Sequence, residues 1–469
     1  MLVESFSGIR GLYGTDLTKD TVRRYAYVYA KWLKEKFKNK KLKVVIGSDT
    51  RPSSNELKKS IINIISHSID VIDVGFNTTP AVEMAVRIYS TDGGIMITAS
   101  HNEPEWNGFK FLSNDGSMLK PSDSDEIIAS FRKTRDLFLP AKKNKVIDKS
   151  KDLINKYVDF VLSFIKDKQT IKKSKLKVVV DPNGGAASVV VEKLLKKLGV
   201  EVICVNMALG RFKRPVEPNE YSLSYLQKII KENDADLGAG FDCDGDRMEI
   251  VLPNQGGFVK SHGFVVSGHY VLALLIDEIL DSKRKENEIV VTNDATSSVV
   301  RRIAEKYNAK IVEVEVGETN VVEEMKRLEA TIGGEGSSSG GIVWPSRCRD
   351  GILTLAFILK LIAEKRKPLS EILERYPQYF TMAEKIKFKT VKFSIKDKLK
   401  SRLLKLGYET QETGNETGGI KWITDDSFCW FRQSKTEEGV FRIIADAPNK
   451  AKCEQLLKEG IRIFGEVLK

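Results

Sequence analysis

Up to about Pro368, apolar positions come in short unbroken runs separated by stretches of helical periodicity. Val44-Val45-Ile46-Gly47, Val178-Val179-Val180 and Ile289-Val290-Val291 have the solid character of strands buried on both faces. An acidic residue follows each run (Asp49, Asp181, Asp294), and small residues come next: Ser53-Ser54, Gly184-Gly185-Ala186-Ala187-Ser188 and Ala295-Thr296-Ser297-Ser298. An amphipathic segment then extends to about His67, Leu198 and Tyr307. A second apolar run closes each copy: Val71-Ile72-Asp73-Val74, Val202-Ile203-Cys204-Val205 and Ile311-Val312-Glu313-Val314. The pattern predicts three strand-helix-strand units of one design.

The copies match further on. Each continues into a helical stretch and then an apolar strand that breaks into a Gly/Ser/Asp-rich loop, at 94–108, 237–246 and 332–341. In open α/β sheets ligands bind beyond the carboxyl ends of strands, so the three loops are expected to meet in one cleft. After Pro368, strand-like runs at 382–393, 420–423, 428–431 and 441–444 alternate with helices expected at 396–406 and 451–468. The predicted fold class is α/β: three similar α/β domains around a central cleft plus a C-terminal α+β domain. The expected boundaries are 1–150, 151–255, 256–370 and 371–469.

Composition removes several function classes. The 469 residues are 41% hydrophobic and 30% charged, enough apolar material for several packed cores. The net charge of +12 reads as a lysine-rich solvated surface. Its lysine clusters, 142–145 and 172–175, fall between apolar blocks, and no helix-turn-helix, zinc-finger or RNP pattern accompanies them, so no nucleic-acid partner is expected. The longest apolar stretch, 264–280, is interrupted by Ser, Gly, His and acidic residues, so no membrane partner is expected either. The N-terminus lacks an apolar signal segment, which predicts a cytoplasmic protein. Five cysteines without CxxC spacing are expected to be reduced thiols.

Candidate chemistry lies in four loops. Thr98 to Lys110, TASHNEPEWNGFK, sets Ser100 in a polar turn between apolar runs, with His101, Asn102 and Lys110 close in sequence. Alone, the segment is equally a polar hairpin turn. Asp242, Asp244 and Asp246 alternate in the second loop, and three such carboxylates repel one another unless a cation sits between them. An EF-hand needs Gly at its sixth position and an acid at its twelfth, where this chain has Arg247 and Pro253. A magnesium-type site or a solvated acidic turn is left. The third loop, Gly333 to Gly341, offers Glu335 and several hydroxyls suited to sugar hydroxyls, or is a plain linker. The fourth, Phe431 to Arg442, combines two arginines, a lysine and two hydroxyls, the makings of a phosphate cradle or of a basic hairpin.

Together these loops resemble those of the α-D-phosphohexomutases, the phosphoglucomutase/phosphomannomutase superfamily, along essentially the whole chain. The matching motifs are Gly8-Ile9-Arg10-Gly11, the TASHN segment with Asn107-Gly108-Phe109-Lys110, the DxDxDR loop, the Gly-Glu loop and the RxSxTE loop. The resemblance implies that Ser100 carries a covalent phosphate and that Asp242, Asp244 and Asp246 hold Mg2+ together with it. Lys110 is then the general acid/base, Arg10 and His101 steady the phosphoryl group, and Arg247 stands beside the metal loop. Glu335 and Ser337, with Ser339 in the same loop, would read the sugar. Arg432, Ser434, Lys435, Thr436 and Arg442 would grip the phosphate that is not transferred, and the last domain would close as a lid. The implied reaction interconverts hexose 1-phosphate and hexose 6-phosphate, of glucose or mannose, through hexose 1,6-bisphosphate. Small-molecule phosphosugars are the expected partners of a monomer or homodimer.

The chain departs from the family at two loops. Many members carry His soon after the sugar-loop Glu, whereas Glu335 is followed by a serine run. In the phosphate loop Lys435 and Glu438 replace the usual Gly and Pro, and Arg442 comes one residue late. Phosphoglucosamine mutase, a silent sugar-phosphate-binding relative and a phosphoserine phosphatase are the competing readings. Intact Ser100, Lys110 and the three aspartates oppose silence. A phosphatase has no need of the phosphate loop.

Overall fold

Four sheets, distributed over two compact units, organise the chain in a computed structural model that describes every residue except 1, 6, 39, 284–286, 338, 389–394, 417, 435–438 and 469. One unit comprises Met1–Gln255, Phe264–Val266 and Ile342–Leu369, and the other Gly256–Gly263, Ser267–Gly341 and Ser370–Lys469.

The first unit holds a seven-stranded and a five-stranded sheet. In the larger one, Lys43–Ser48 pairs in parallel with Asp70–Phe76 and Gly93–Ile97, and Trp106–Leu112 returns antiparallel beside Gly93–Ile97. All five residues of Gly93–Ile97 are buried, which explains its unbroken apolar character. The helix Ser54–Ile65 buries Leu57, Ile61, Ile64 and Ile65, the stripe that its periodicity predicts. The smaller sheet pairs Lys177–Asp181 in parallel with Leu237–Phe241, and Met248–Val251 returns antiparallel.

In the second unit, Ile289–Asn293 pairs in parallel with Lys310–Val314 and Ile332–Gly334. The last sheet is antiparallel, in the order Phe380–Lys387, Val440–Ala447, Ser427–Gln433, Ile420–Thr424, Glu409–Glu412. The helices Ile395–Lys405 and Lys450–Leu468 supply Leu399, Leu403, Ile463 and Phe464 to its core.

The repeat is therefore real. In three sheets two neighbouring parallel strands end side by side: Lys43–Ser48 with Gly93–Ile97, Lys177–Asp181 with Leu237–Phe241, and Ile289–Asn293 with Ile332–Gly334. The loops that carry Ser100, the three aspartates and Glu335 each follow the second member. Some elements differ from expectation. The strand predicted over 382–393 begins at Phe380 and ends at Lys387, with 389–394 outside the described residues. Glu409–Glu412 is a strand whose polar sequence carries no apolar signal. Among the described residues, no helix is long and apolar enough to cross a membrane.

Candidate active site

Ser100 stands at the end of Gly93–Ile97 with a backbone φ of 52°, in the left-handed region. A non-glycine residue there costs about 1–2 kcal/mol, so the surroundings must enforce it. Arg51, 1% exposed, does so. Its Nη2 donates to the carbonyl oxygens of Ser100 and Asn102, both at 2.6 Å, and its Nη1 to those of Glu103 (2.6 Å) and Trp106 (3.2 Å). Asp49 fixes the guanidinium in turn, through Nε at 3.0 Å. Asn107 anchors the far side of the loop by donating to Ser53 and Ser54.

The aspartate loop is held in a parallel way. Arg214 donates to Asp181 through Nε at 2.5 Å and to the Phe241 carbonyl through Nη2 at 2.7 Å. Gly245 takes a φ of 69°, and a β-carbon on it would lie 2.9 Å from Thr78 Cγ2, so the loop tolerates no larger residue there.

These two loops meet. Ser100 Oγ is 3.4 Å from Asp242 Oδ2, and Lys110 Nζ lies 3.1 Å from Asp244 Oδ2 and 3.5 Å from Asp246 Oδ2. Thr79 Oγ1 donates to Asp244 Oδ2 at 2.6 Å, and Arg349 Nη2 to Asp246 Oδ2 at 3.3 Å. One oxygen from each of the three aspartates falls within 4.8 Å of the others, and all three residues are fully buried. Oδ1 of both Asp244 and Asp246 is buried without a hydrogen-bond partner among the described residues. Hard oxygen donors so gathered fit a divalent cation. Burial and the charges of its two neighbours push the Asp242 carboxyl well above its ordinary range. Burial also raises Asp246, but Lys110, Arg349 and Arg247 outweigh it and hold that carboxyl well below.

Arg10 and His101 flank the serine. Arg10 pairs across the strands with Gly108, and its guanidinium reaches Asn102 Oδ1 at 3.5 Å. Arg247, burial and Arg10 together hold the His101 imidazole far below its ordinary pKa, so the ring is neutral. Glu217 links two of these groups: it accepts from Arg247 Nη1 and lies 3.6 Å from His101 Nε2.

In the second unit, Glu335 is 5% exposed and its Oε1 accepts from Asn293 Nδ2 (2.9 Å) and the Gly317 N–H (2.8 Å). Ser339 is buried, whereas Ser337 is exposed. Arg432 donates to Glu315 Oε1 at 3.0 Å and pairs across the strands with Arg442, which sets the two arginines on one face. Ser434 donates its backbone N–H to Val440 O at 2.8 Å. Lys435 and Thr436 lie outside the described residues.

Three models of one family, phosphoglucomutase/phosphomannomutase, match the chain: α/β/α domain I over residues 4–137, domain II over 155–256 and domain III over 267–379. A phosphoglucomutase/phosphomannomutase of Thermococcus kodakarensis is 33% identical over 98% of both chains. The chain belongs to the phosphoglucomutase/phosphomannomutase family. It is thus an α-D-phosphohexomutase, a mutase of the isomerase class. A Pyrococcus horikoshii protein named as a probable phosphoglucosamine mutase is 31% identical, covering 99% of this chain and 98% of that one. The crystal structure of a phosphoglucomutase/phosphomannomutase family protein from Burkholderia thailandensis shares the fold, with a TM-score of 0.81 at 21% identity over 99% of this chain and 97% of that one.

For this phosphohexomutase, the sequence motifs missed Arg51, Arg214, Glu217 and Arg349. Arg51 was within reach, two residues beyond the strand-end Asp49. Arg214 and Arg349 come from distant segments. One repeat position also shifts: Asn293, not Asp294, is the counterpart of Asp49 and Asp181. Each of the three accepts, through its side-chain oxygen, the N–H two residues on.

Proposed function

We propose that the protein interconverts hexose 1-phosphate and hexose 6-phosphate, of glucose or mannose, through phosphorylated Ser100 and a hexose 1,6-bisphosphate. One observation carries the reading: Ser100 Oγ, the only amine of the TASHN segment and three buried aspartates, two of them with an oxygen lacking a hydrogen-bond partner among the described residues, come together within the first unit. Transfer breaks the bond between phosphorus and Ser100 Oγ and forms one to a sugar oxygen. The proton of that sugar hydroxyl moves, by way of Lys110, to the serine oxygen. Arg10 and neutral His101 orient the phosphoryl oxygens, and Arg247 balances charge beside the metal loop.

Asp242, Asp244 and Asp246 would hold Mg2+, with a Ser100 phosphate oxygen as a further ligand; when bound, the ion supplies charge neutralisation for phosphoryl transfer. Glu335 and the hydroxyls of Ser337 and Ser339 read the sugar. Arg432, Ser434, Lys435, Thr436 and Arg442 hold the other phosphate. A bisphosphate that turns end for end presents C1 and C6 to Ser100 alternately, and a grip on the idle phosphate keeps it from being lost. Unpaired thiols support a reducing compartment such as the cytoplasm.

Phosphoglucosamine mutase is the second reading, favoured by the relative named for that activity at 31% identity. Incubation with glucose 1-phosphate, Mg2+ and a trace of glucose 1,6-bisphosphate is expected to yield glucose 6-phosphate. Free phosphate as the main product would contradict a mutase. Comparing kcat/KM for the 1-phosphates of glucose, mannose and glucosamine on one preparation decides between the two readings.

A further inference from the structure

The sugar loop is held on a second side by a residue that none of the loop motifs contains. His269 is the second residue of the helix Gly268–Lys283 and is buried. Its Nδ1 accepts the backbone N–H of Ser297 at 3.1 Å, which assigns the ring proton to Nε2. Gly336, directly after Glu335, lies against the same ring. A β-carbon on Gly336 would fall 2.3 Å from His269 Nδ1 and 2.9 Å from Thr296 Cγ2. Gly268 is closed as well: its β-carbon would lie 2.7 Å from both Gly336 O and Ser339 Oγ. The start of the helix therefore seats on the loop backbone at two points where no side chain fits.

Hydrogen bonds run from this contact to the loop's carboxylate. The Gly336 N–H donates to Thr296 Oγ1 (3.1 Å), Thr296 Oγ1 donates to Asn293 Oδ1 (2.9 Å), and Asn293 Nδ2 donates to Glu335 Oε1 (2.9 Å). The ring thus lies against both ends of a buried network, the Asn293–Ser297 turn and the loop backbone. Asp446, whose charge acts on the ring, accepts from the Ser298 N–H (2.9 Å) and from Thr381 Oγ1 (2.8 Å).

We infer that His269 is a positioning residue for Glu335 and, through it, a determinant of which hexose phosphate is accepted; this rests on the reading of Glu335 as the reader of sugar hydroxyls. Epimers differ in the direction of one hydroxyl, and a displaced acceptor cannot satisfy both equally. His269 works by wedge and acceptor: the ring sets the separation of loop and turn, and Nδ1 pins the turn.

The test uses the full chain as H269A, H269N, G336A and H269A/G336A. Steady-state kinetics with glucose and mannose 1-phosphates are combined with amide hydrogen exchange at Ser297 and Gly336. H269A is expected to speed exchange at both amides, raise KM more than it lowers kcat, and change the glucose-to-mannose ratio at least about threefold. H269N, whose side-chain oxygen can accept the Ser297 N–H, should restore most of each effect. G336A should lower kcat/KM about tenfold in the parent and have a much smaller further effect in H269A, because the closer of the two groups that its methyl meets is gone and the loop can shift away from Thr296 into the space left. Hydrolysis of phosphoserine in the absence of sugar should stay within about twofold of the parent throughout. Additive losses in the double variant, or unchanged exchange in H269A, would overturn the inference. Where H269A fails to fold, H269N and G336A make the same comparison. E335Q separates the two layers: if it changes the sugar ratio and H269A does not, the inference about His269 fails. If neither changes it while exchange responds, the reading of Glu335 fails instead.

Discussion

The loops that carry Ser100 and Glu335 follow equivalent strands of two repeats, yet they are held by opposite means. Beneath Ser100 lies a cation: Arg51 makes five donor contacts, to Asp49 and to four loop carbonyls. Beneath Glu335 lies a neutral amide, Asn293, with one donor bond to the carboxylate. The loop of the three aspartates sides with the first arrangement, through Arg214 and Asp181. A loop that keeps a serine at positive φ beside three buried carboxylates needs several fixed donors and a compensating charge. The Glu335 carboxylate is held by neutral donors alone among those described, the Asn293 amide and the Gly317 N–H, as suits the proposed contact with neutral sugar hydroxyls.

Breaking the first lock should have the largest effect. Arg51→Ala leaves Asp49 buried without its partner, a loss of about 3–5 kcal/mol for such a pair. A fall in kcat of about a thousandfold and a clearly lower Tm are expected. Arg51→Lys keeps the charge but not the fork and should still lose about a hundredfold. Near-normal phosphoserine formation in either variant would end the comparison. Asn293→Ala should do less and do it differently. KM should rise about tenfold with kcat within about threefold, and the level of Ser100 phosphorylation should not change.

A third contrast is in the pH dependence of stability, to which one buried group of each unit contributes with opposite sign. Burial pushes Asp350 up to about 6 from an ordinary 3.8. The folded chain then binds the proton that the unfolded chain has lost, so this contribution falls as pH rises from about 4 to 6, by about 3 kcal/mol. Burial takes His269 down to about 4 from an ordinary 6.5. Its contribution rises between about 4 and 6.5, by a similar amount. Melting curves between those pH values should therefore steepen upward in Asp350→Asn and flatten in His269→Asn. The same change of slope in both variants would contradict the opposed signs.

Much of this was legible in the sequence where a residue's role depends on near neighbours. Ser100 and the alternating aspartates stand in short loops between apolar runs, and the repeat placed those loops at equivalent strand ends. Lys110 lies on the strand that the apolar run 109–112 predicts; the strand starts earlier, at Trp106, because Asn107 and Gly108 are drawn into pairing with Gly8–Leu12. Asn293 takes the position that the acidic pattern assigns to Asp294, because the strand end is set by pairing with Lys310–Val314. Arg214, Arg349 and His269 reach their loops from remote segments, and only packing brings them there. The polar strand Glu409–Glu412 is recruited by its neighbour Ile420–Thr424 rather than by its own pattern.

The central claim is that Ser100 is the phosphoryl carrier beside the aspartate site. Phosphopeptide mass spectrometry after incubation with glucose 1,6-bisphosphate and Mg2+ tests it most directly. One phosphate is expected on Ser100, discharged when glucose 1-phosphate is added and absent from Asp244→Asn treated in the same way. Phosphate on another residue, or phosphate on Ser100 that the sugar does not remove, would contradict the account.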